Sequence, residues 1–280
     1  MQKQESQIPP PPDIYVVGLG IVSVRQITRE AEDAIRASNT VLYVDAGFGV
    51  HDYLLSLCRN VENLITEYRE GSLRVETYRA MAARVVEAAL DDPPVTFAVY
   101  GHPTFFVYPS ELIRRSAPLL GLGVEVLPGI STIDTVSIEL GIDAGLTGLQ
   151  VHDATGLLLV KRRLDPQVPC ILLQVDAVET AFYTAGRSVP ERFRRLQAHL
   201  LEFYPPEHVL INVRSSTFPL FPSDTEPILL SELPERLASS GATGTLYIPP
   251  VSVATFADTE LAAAVNDIAH LREVTKDQPG

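Results

Sequence analysis

Hydrophobic positions along the chain follow two alternating periods. Short runs that are apolar at nearly every residue, at 14–18, 41–44, 95–99 and 123–127, read as strands buried on both faces. Between them the period lengthens. From 74 to 90, Val75, Tyr78, Met81, Ala82, Val85, Val86 and Ala89 recur at helical intervals before Pro93 and Pro94 interrupt. Thr28 stands where an N-cap belongs, predicting a helix to about Ala37 with Glu30 and Glu32 near its positive end. Further helices are expected at 52–58, at 110–119 and from Ser131, whose hydroxyl can cap it, with a loop at 104–107. The second half predicts strands at 148–152, 170–175, 207–213 and 244–249, and helices at 190–202, 230–239 and 256–270. Strands alternating with helices predict an α/β protein with mixed β-sheets flanked by helices. Residues 1–12 are polar and end in four prolines, a flexible tail or short polyproline II stretch, and 273–280 form a second polar tail.

The chemistry gathers in one stretch. Tyr68 precedes the turn residues Gly71 and Ser72, and Arg74 and Tyr78 are one helical turn apart on a shared face. The strand at 95–99 ends in Tyr100, Gly101, His102 and Pro103, and Gly/Pro turns at strand C-termini are where open α/β sheets take ligands. Taken singly, such tyrosines are usually core and such an arginine usually solvated. Together they put three phenols and a guanidinium near one strand end. The first strand stops at Gly18, Leu19 and Gly20, where missing β-carbons would let a ligand approach the backbone. A dinucleotide fingerprint needs a third glycine; Val22 and Ser23 stand there, so the NAD reading is poor.

Composition narrows the field. At 280 residues and 46% hydrophobic, the chain suits one large domain or two medium ones, and a net charge of −13 argues against nucleic acid while tolerating a basic or neutral peptide. No apolar run nears a membrane span and the N-terminus has no apolar signal core, so a cytoplasmic protein is expected. Cys58 and Cys170 are isolated, and His51, His102, His152, His199, His208 and His270 lack paired ligand spacing, which leaves metal catalysis without support. Lys161 to Arg163 and the cluster Arg192, Arg194, Arg195 read as solvated faces.

The spacing Tyr68, Arg74, Tyr78, followed by Tyr100-Gly101-His102-Pro103, resembles the borosin peptide-backbone α-N-methyltransferases, a branch of the tetrapyrrole methylase superfamily of class III S-adenosylmethionine enzymes. Residues 14–21 resemble that superfamily's first Gly-rich loop, 127–132 its second signature, and 172–175 and 244–250 its later cofactor-side strands, so the likeness covers roughly 13–255. The loop Asp45 to Gly49 departs from the fungal members, which tend to carry an Asp-Pro step there. The resemblance implies a two-domain fold, 13–127 and 128–272, with the cofactor cleft between the domains. It implies catalytic roles for Tyr68, Arg74, Tyr78 and Tyr100, and cofactor contacts from Gly18, Gly20, Tyr100, His102, Pro103, Val107, Ser131, Thr132, Gln174 and Thr245. In this reading Arg74 favours phenolate at Tyr68 or Tyr78, and either could be the base. Because nothing after Pro250 looks like a methylatable apolar core, the expected substrate is a separate precursor peptide, as in the split bacterial borosins, and the resemblance adds a homodimer. The alternatives are a corrin- or porphyrin-type small-molecule methylase and a catalytically silent relative that binds cofactor or peptide.

Overall fold

The structure, a computed structural model, describes residues 11–45, 47–218, 220–240, 244–252 and 255–275. The first half lays down β1 (Ile14–Gly18), α1 (Arg29–Ala37), β2 (Thr40–Val44), α2 (Val50–Leu57), β3 (Val61–Asn63), α3 (Arg74–Asp91), β4 (Val95–Val99), α4 (Tyr108–Ser116) and β5 (Val124–Val126). The strands form one sheet in the order β3-β2-β4-β1-β5, and every pair is parallel. Helices cover both faces, which is why these strands read as unbroken apolar runs. Ile14, Val16, Leu42 and Phe97 pack with Met81 of α3 and Ile113 of α4. Their neighbours Val17, Val41, Tyr43 and Ala98 point the other way, onto Ala31 and Ile35 of α1 and Leu54 of α2. Thr28 does cap α1, its hydroxyl accepting from the Ala31 N–H.

The second half continues with α5 (Thr132–Leu140), α6 (Ala144–Thr147), β6 (Gln150–Asp153), α7 (Ala154–Leu159), β7 (Cys170–Leu173), α8 (Arg194–Leu200), β8 (Val209–Arg214), β9 (Asp224–Leu229), α9 (Leu233–Ser239), β10 (Thr245–Ile248), α10 (Thr259–Ala264) and α11 (Ile268–Val274). Its sheet runs β6-β7-β10-β8-β9; β6 and β7 are parallel and the other pairs antiparallel. Val136 of α5 packs on Ile171, Leu173 and Val213 from one face, and a larger core including Leu172, Phe193, Leu196 and Leu246 fills the other.

Several expectations are corrected. Only the second sheet is mixed; the first is wholly parallel. The strands β3 and β9 were not anticipated, because β3 is three residues with none fully buried and β9 is a mostly exposed edge strand holding Pro227, which an edge tolerates. The helix expected at 256–270 is two short helices, each capped by an aspartate, Asp258 and Asp267. The helix expected from Ser110 starts at Tyr108 with Pro109 in its first turn, where a missing N–H costs nothing. Of the expected tails, residues 1–10 and 276–280 lie outside the described residues. Among the described residues no helix is long and apolar enough to cross a membrane.

Candidate active site

The ends of β1 and β4 lie side by side and are joined by a bridge between Gly20 and Gly101, with the Gly101 N–H donating to the Gly20 carbonyl at 2.8 Å. A β-carbon on Gly18 would stand 2.3 Å from the Gly101 oxygen, and one on Gly129 2.8 Å from the Gly18 Cα. The space left by the missing side chains is thus filled by the chain's own backbone. Gly18, Gly20 and Pro103 are buried beneath the cleft. These residues let two strand ends and the turn after β5 close-pack, and that packing presents Tyr100, Gly101 and His102 above.

Above this floor lies a cleft of about 650 Å³ between the two halves. It gathers Tyr68, Arg74, Tyr78 and Tyr100, as well as His102, Val107, Ser131, Thr132, Gln174 and Thr245. The phenols stand in a line of ring contacts: Tyr183 to Tyr68 at 4.9 Å between centroids, Tyr68 to Tyr78 at 6.3 Å, and Tyr78 to Tyr108 at 6.3 Å. Tyr108 and Tyr183 escaped sequence reading because nothing local marks them; their partners are remote in the chain.

Arg74 fastens the halves together. Residues 71–74 pair with 181–183 in antiparallel fashion: the Gly71 N–H donates to the Tyr183 carbonyl, Tyr183 N–H to Ser72, and Arg74 N–H to Ala181, each at 2.9 Å. The Arg74 guanidinium donates to the Thr180 carbonyl at 2.5 Å and reaches that of Ala177 at 3.4 Å. Next to this strap, the Glu70 carboxylate accepts from the Thr184 hydroxyl and the Ala185 N–H. Arg192, expected on a solvated face, is instead half-buried on the cleft wall, donating to the Val178 carbonyl at 3.0 Å and to the Ser188 hydroxyl. Burial lowers its pKa first, Asp176 opposes that, and Arg74 adds to it. Arg194 and Arg195 are solvent-facing, as expected.

Burial governs the phenols. Tyr68 is pushed well above the ordinary tyrosine range, by desolvation first and then by its interactions with Tyr78, and the opposing pull of Arg74 is too weak to reverse this. Arg74 thus pulls Tyr68 in the expected direction, and burial sets the net shift. Tyr100 has 42% of its surface open, yet the cleft walls desolvate its hydroxyl and the carboxylates of Asp45 and Glu139 add to the effect, raising it to about 12. The sign follows from linkage. Tyr100 keeps its proton longer folded than unfolded, so its stabilisation is complete below pH 10 and is lost as pH climbs toward about 12. Tyr100→Phe is expected to flatten the fall of the urea midpoint across that window; an unchanged slope would remove Tyr100 as its source.

On the second-half wall, Ser131 caps α5 in a capping box with Asp134, which accepts from the Ser131 hydroxyl and N–H at 2.6 Å each. Thr132 opens the helix onto the cleft. Gln174 ends β7 in the left-handed region, φ 57°, which costs a non-glycine residue about 1–2 kcal/mol. Such strain is kept where a side chain is needed. Gln174→Gly should therefore raise the melting temperature, and a thermal melt beside wild type would show it.

Fold and cleft define a two-sheet α/β protein with a ligand-sized cleft between the halves. The chain belongs to the tetrapyrrole (corrin/porphyrin) methylases, whose family profile matches residues 13–217. It is similar to a methyltransferase/ribosomally synthesized cyclic peptide dendrothelin A precursor from Dendrothele bispora, 29% identical over 86% of this chain and 58% of that protein. It is also similar to the corresponding omphalotin A precursor from Omphalotus olearius, 28% identical over 85% of this chain and 57% of that one. The chain thus spans little more than half the length of these relatives. Among solved structures, uroporphyrin-III-C-methyltransferase from Thermus thermophilus superposes with a TM-score of 0.59 at 19% identity, covering 85% of this chain and 92% of that one. The methyltransferase CobJ gives 0.61 at 14%, covering 88% and 97%.

Proposed function

We propose that the protein methylates backbone amide nitrogens of a peptide with S-adenosylmethionine as donor, and that it does so as a homodimer on a precursor supplied as a separate chain. The observation that carries this reading is the meeting of Tyr68, Arg74, Tyr78 and Tyr100 in one cleft of a methylase fold. The names of the fungal relatives, which join methyltransferase to peptide precursor, support the substrate class. The residues present suit the cofactor. The cleft is in the size range of small-molecule sites, Thr132, Gln174 and Thr245 offer polar groups for a nucleoside, and aromatic rings with Asp176 suit a sulfonium cation. When bound, that cofactor supplies the methyl group on its sulfur and leaves as a neutral thioether.

A peptide nitrogen is a poor nucleophile because its lone pair is delocalised into the carbonyl. Its proton must leave as the new N–C bond forms, and the negative charge that builds on the amide oxygen must be stabilised. Burial holds Tyr68 and Tyr100 as phenols, which makes them hydrogen-bond donors in this scheme. In this scheme Tyr78 acts as the phenolate, assisted by a hydrogen bond from Tyr68, and becomes the phenol on taking the amide proton, while Tyr100 faces the developing oxyanion. Arg74 supplies positive charge beside Tyr68.

The test uses cofactor carrying a radiolabelled methyl group, offered in parallel with an apolar peptide library and with uroporphyrinogen III. Label in peptide is expected. Label confined to the tetrapyrrole would sink the reading.

A further inference from the structure

The loop after β4 carries a side chain that neither backbone geometry nor core packing accounts for. Phe106 adopts φ 61°, in the left-handed region, where a bulky residue is an outlier and glycine fits without strain. Phe106 also keeps 46% of its surface open, although it is apolar, and it lines the main cleft. Its neighbour explains how the position is held. The Phe105 N–H donates to the His102 carbonyl at 3.2 Å, and the Phe105 ring packs with Val136, Ile171, Leu173 and Val213 of the second half. The rings of Phe105 and Phe106 meet edge to face, 4.9 Å between centroids at 78°, so the anchored ring supports the open one at the cleft wall. A second open ring, Phe182 of the strap, is 51% exposed and lines the same cleft. Strain imposed on a residue whose apolar ring is then left facing water is kept where a ligand uses that ring.

We infer that Phe106, with Phe182, forms a subsite that selects a bulky hydrophobic side chain, aromatic or branched aliphatic, on the substrate peptide. The inference rests on the peptide reading above. The occupant follows from position: both rings line the cleft that gathers Tyr68, Arg74 and Tyr78, so what covers them is the molecule that this cleft takes. A large apolar side chain seated there removes its own surface and that of the rings from water. Alanine leaves the rings largely wet, and a carboxylate gives up hydration without gaining a partner from them. Phe106 is thus a specificity residue, meeting the side chain of the substrate and not its reacting nitrogen.

Blocked pentapeptides acetyl-Gly-Gly-X-Gly-Gly-amide, with X phenylalanine, leucine, alanine or glutamate, would be titrated calorimetrically into the protein saturated with S-adenosylhomocysteine. Phenylalanine and leucine should bind about tenfold more tightly than alanine, and glutamate no better than alanine. Phe106→Gly should bring the first three within about threefold of one another. It should leave the affinity for S-adenosylhomocysteine unchanged and the melting temperature no lower, because glycine relieves the strain. Phe182→Ala should remove part of the same preference. Equal affinities across the series, or a preference surviving in Phe106→Gly, would overturn the subsite. So would a loss of S-adenosylhomocysteine affinity in Phe106→Gly, which would make the ring a cofactor contact, or a lower melting temperature, which would make it core. Mass spectrometry of the same peptides after incubation with S-adenosylmethionine separates the two claims. A preference without methylation keeps the subsite and defeats the proposed reaction; methylation without the preference does the reverse.

Discussion

Arg74→Ala is expected to lower methyl transfer to peptide by about 10²–10⁴-fold, the range for losing a group that directs proton transfer. The loss should fall mainly on the rate at saturating peptide, because in the proposed reaction the guanidinium acts among the phenols that handle the proton. The variant should remain folded, since the main-chain bonds of Gly71, Arg74 and Tyr183 across the strap do not depend on the side chain. Arg74→Lys is the informative control. Lysine keeps the charge but presents it on a shorter, flexible stem, whereas one guanidinium nitrogen of Arg74 donates to both the Thr180 and the Ala177 carbonyls. If charge alone matters, lysine restores most of the rate; if placement of the loop matters, it restores little. A rate within a few-fold of wild type for Arg74→Ala would remove Arg74 from the chemistry.

The largest stability effect is expected at Gly18. A β-carbon there would lie 2.3 Å from the Gly101 oxygen and 3.0 Å from the Gly129 Cα, both backbone atoms, so the strand ends themselves must separate. Gly18→Ala should cost about 3 kcal/mol, the upper end for overpacking a closed core. Gly49→Ala supplies the comparison, because Gly49 has φ 76° and nothing within 4 Å of its added methyl. Strain alone predicts about 1–2 kcal/mol there. Urea unfolding of both variants measures the difference, and equal midpoints would mean that the strand ends can yield.

The contrast between these glycines shows what local pattern can and cannot convey. The turn after β1 was legible because Gly18 and Gly20 follow an apolar run, but the pattern could not say whether ligand or backbone fills the space. β4 and α3 were legible in full, since every residue of β4 is buried and the inward positions of α3 recur at helical spacing. β9 was not, because an edge strand facing solvent has no such contrast. In the site, Tyr68, Arg74, Tyr78 and Tyr100 could be picked out because they sit within one stretch of sequence and resemble a known set. Arg192, Tyr108 and Tyr183 could not. Arg192 sits between surface arginines in sequence, and only the carbonyl of Val178 and the hydroxyl of Ser188, met through the fold, turn it inward. The protonation of Tyr68 was also out of reach: the guanidinium neighbour is visible in sequence, but the burial that outweighs it is a property of the packed cleft.

In the proposed reaction the cleft acts on a backbone nitrogen with Tyr78 as the proton acceptor. The direct measurement is tandem mass spectrometry of a precursor peptide co-expressed with the protein, with fragments that separate backbone from side-chain sites. Single-methyl increments are expected on fragments that place them at backbone nitrogens, and they should disappear in Tyr78→Phe. Methyl groups on side chains, or backbone increments undiminished in Tyr78→Phe, would contradict it.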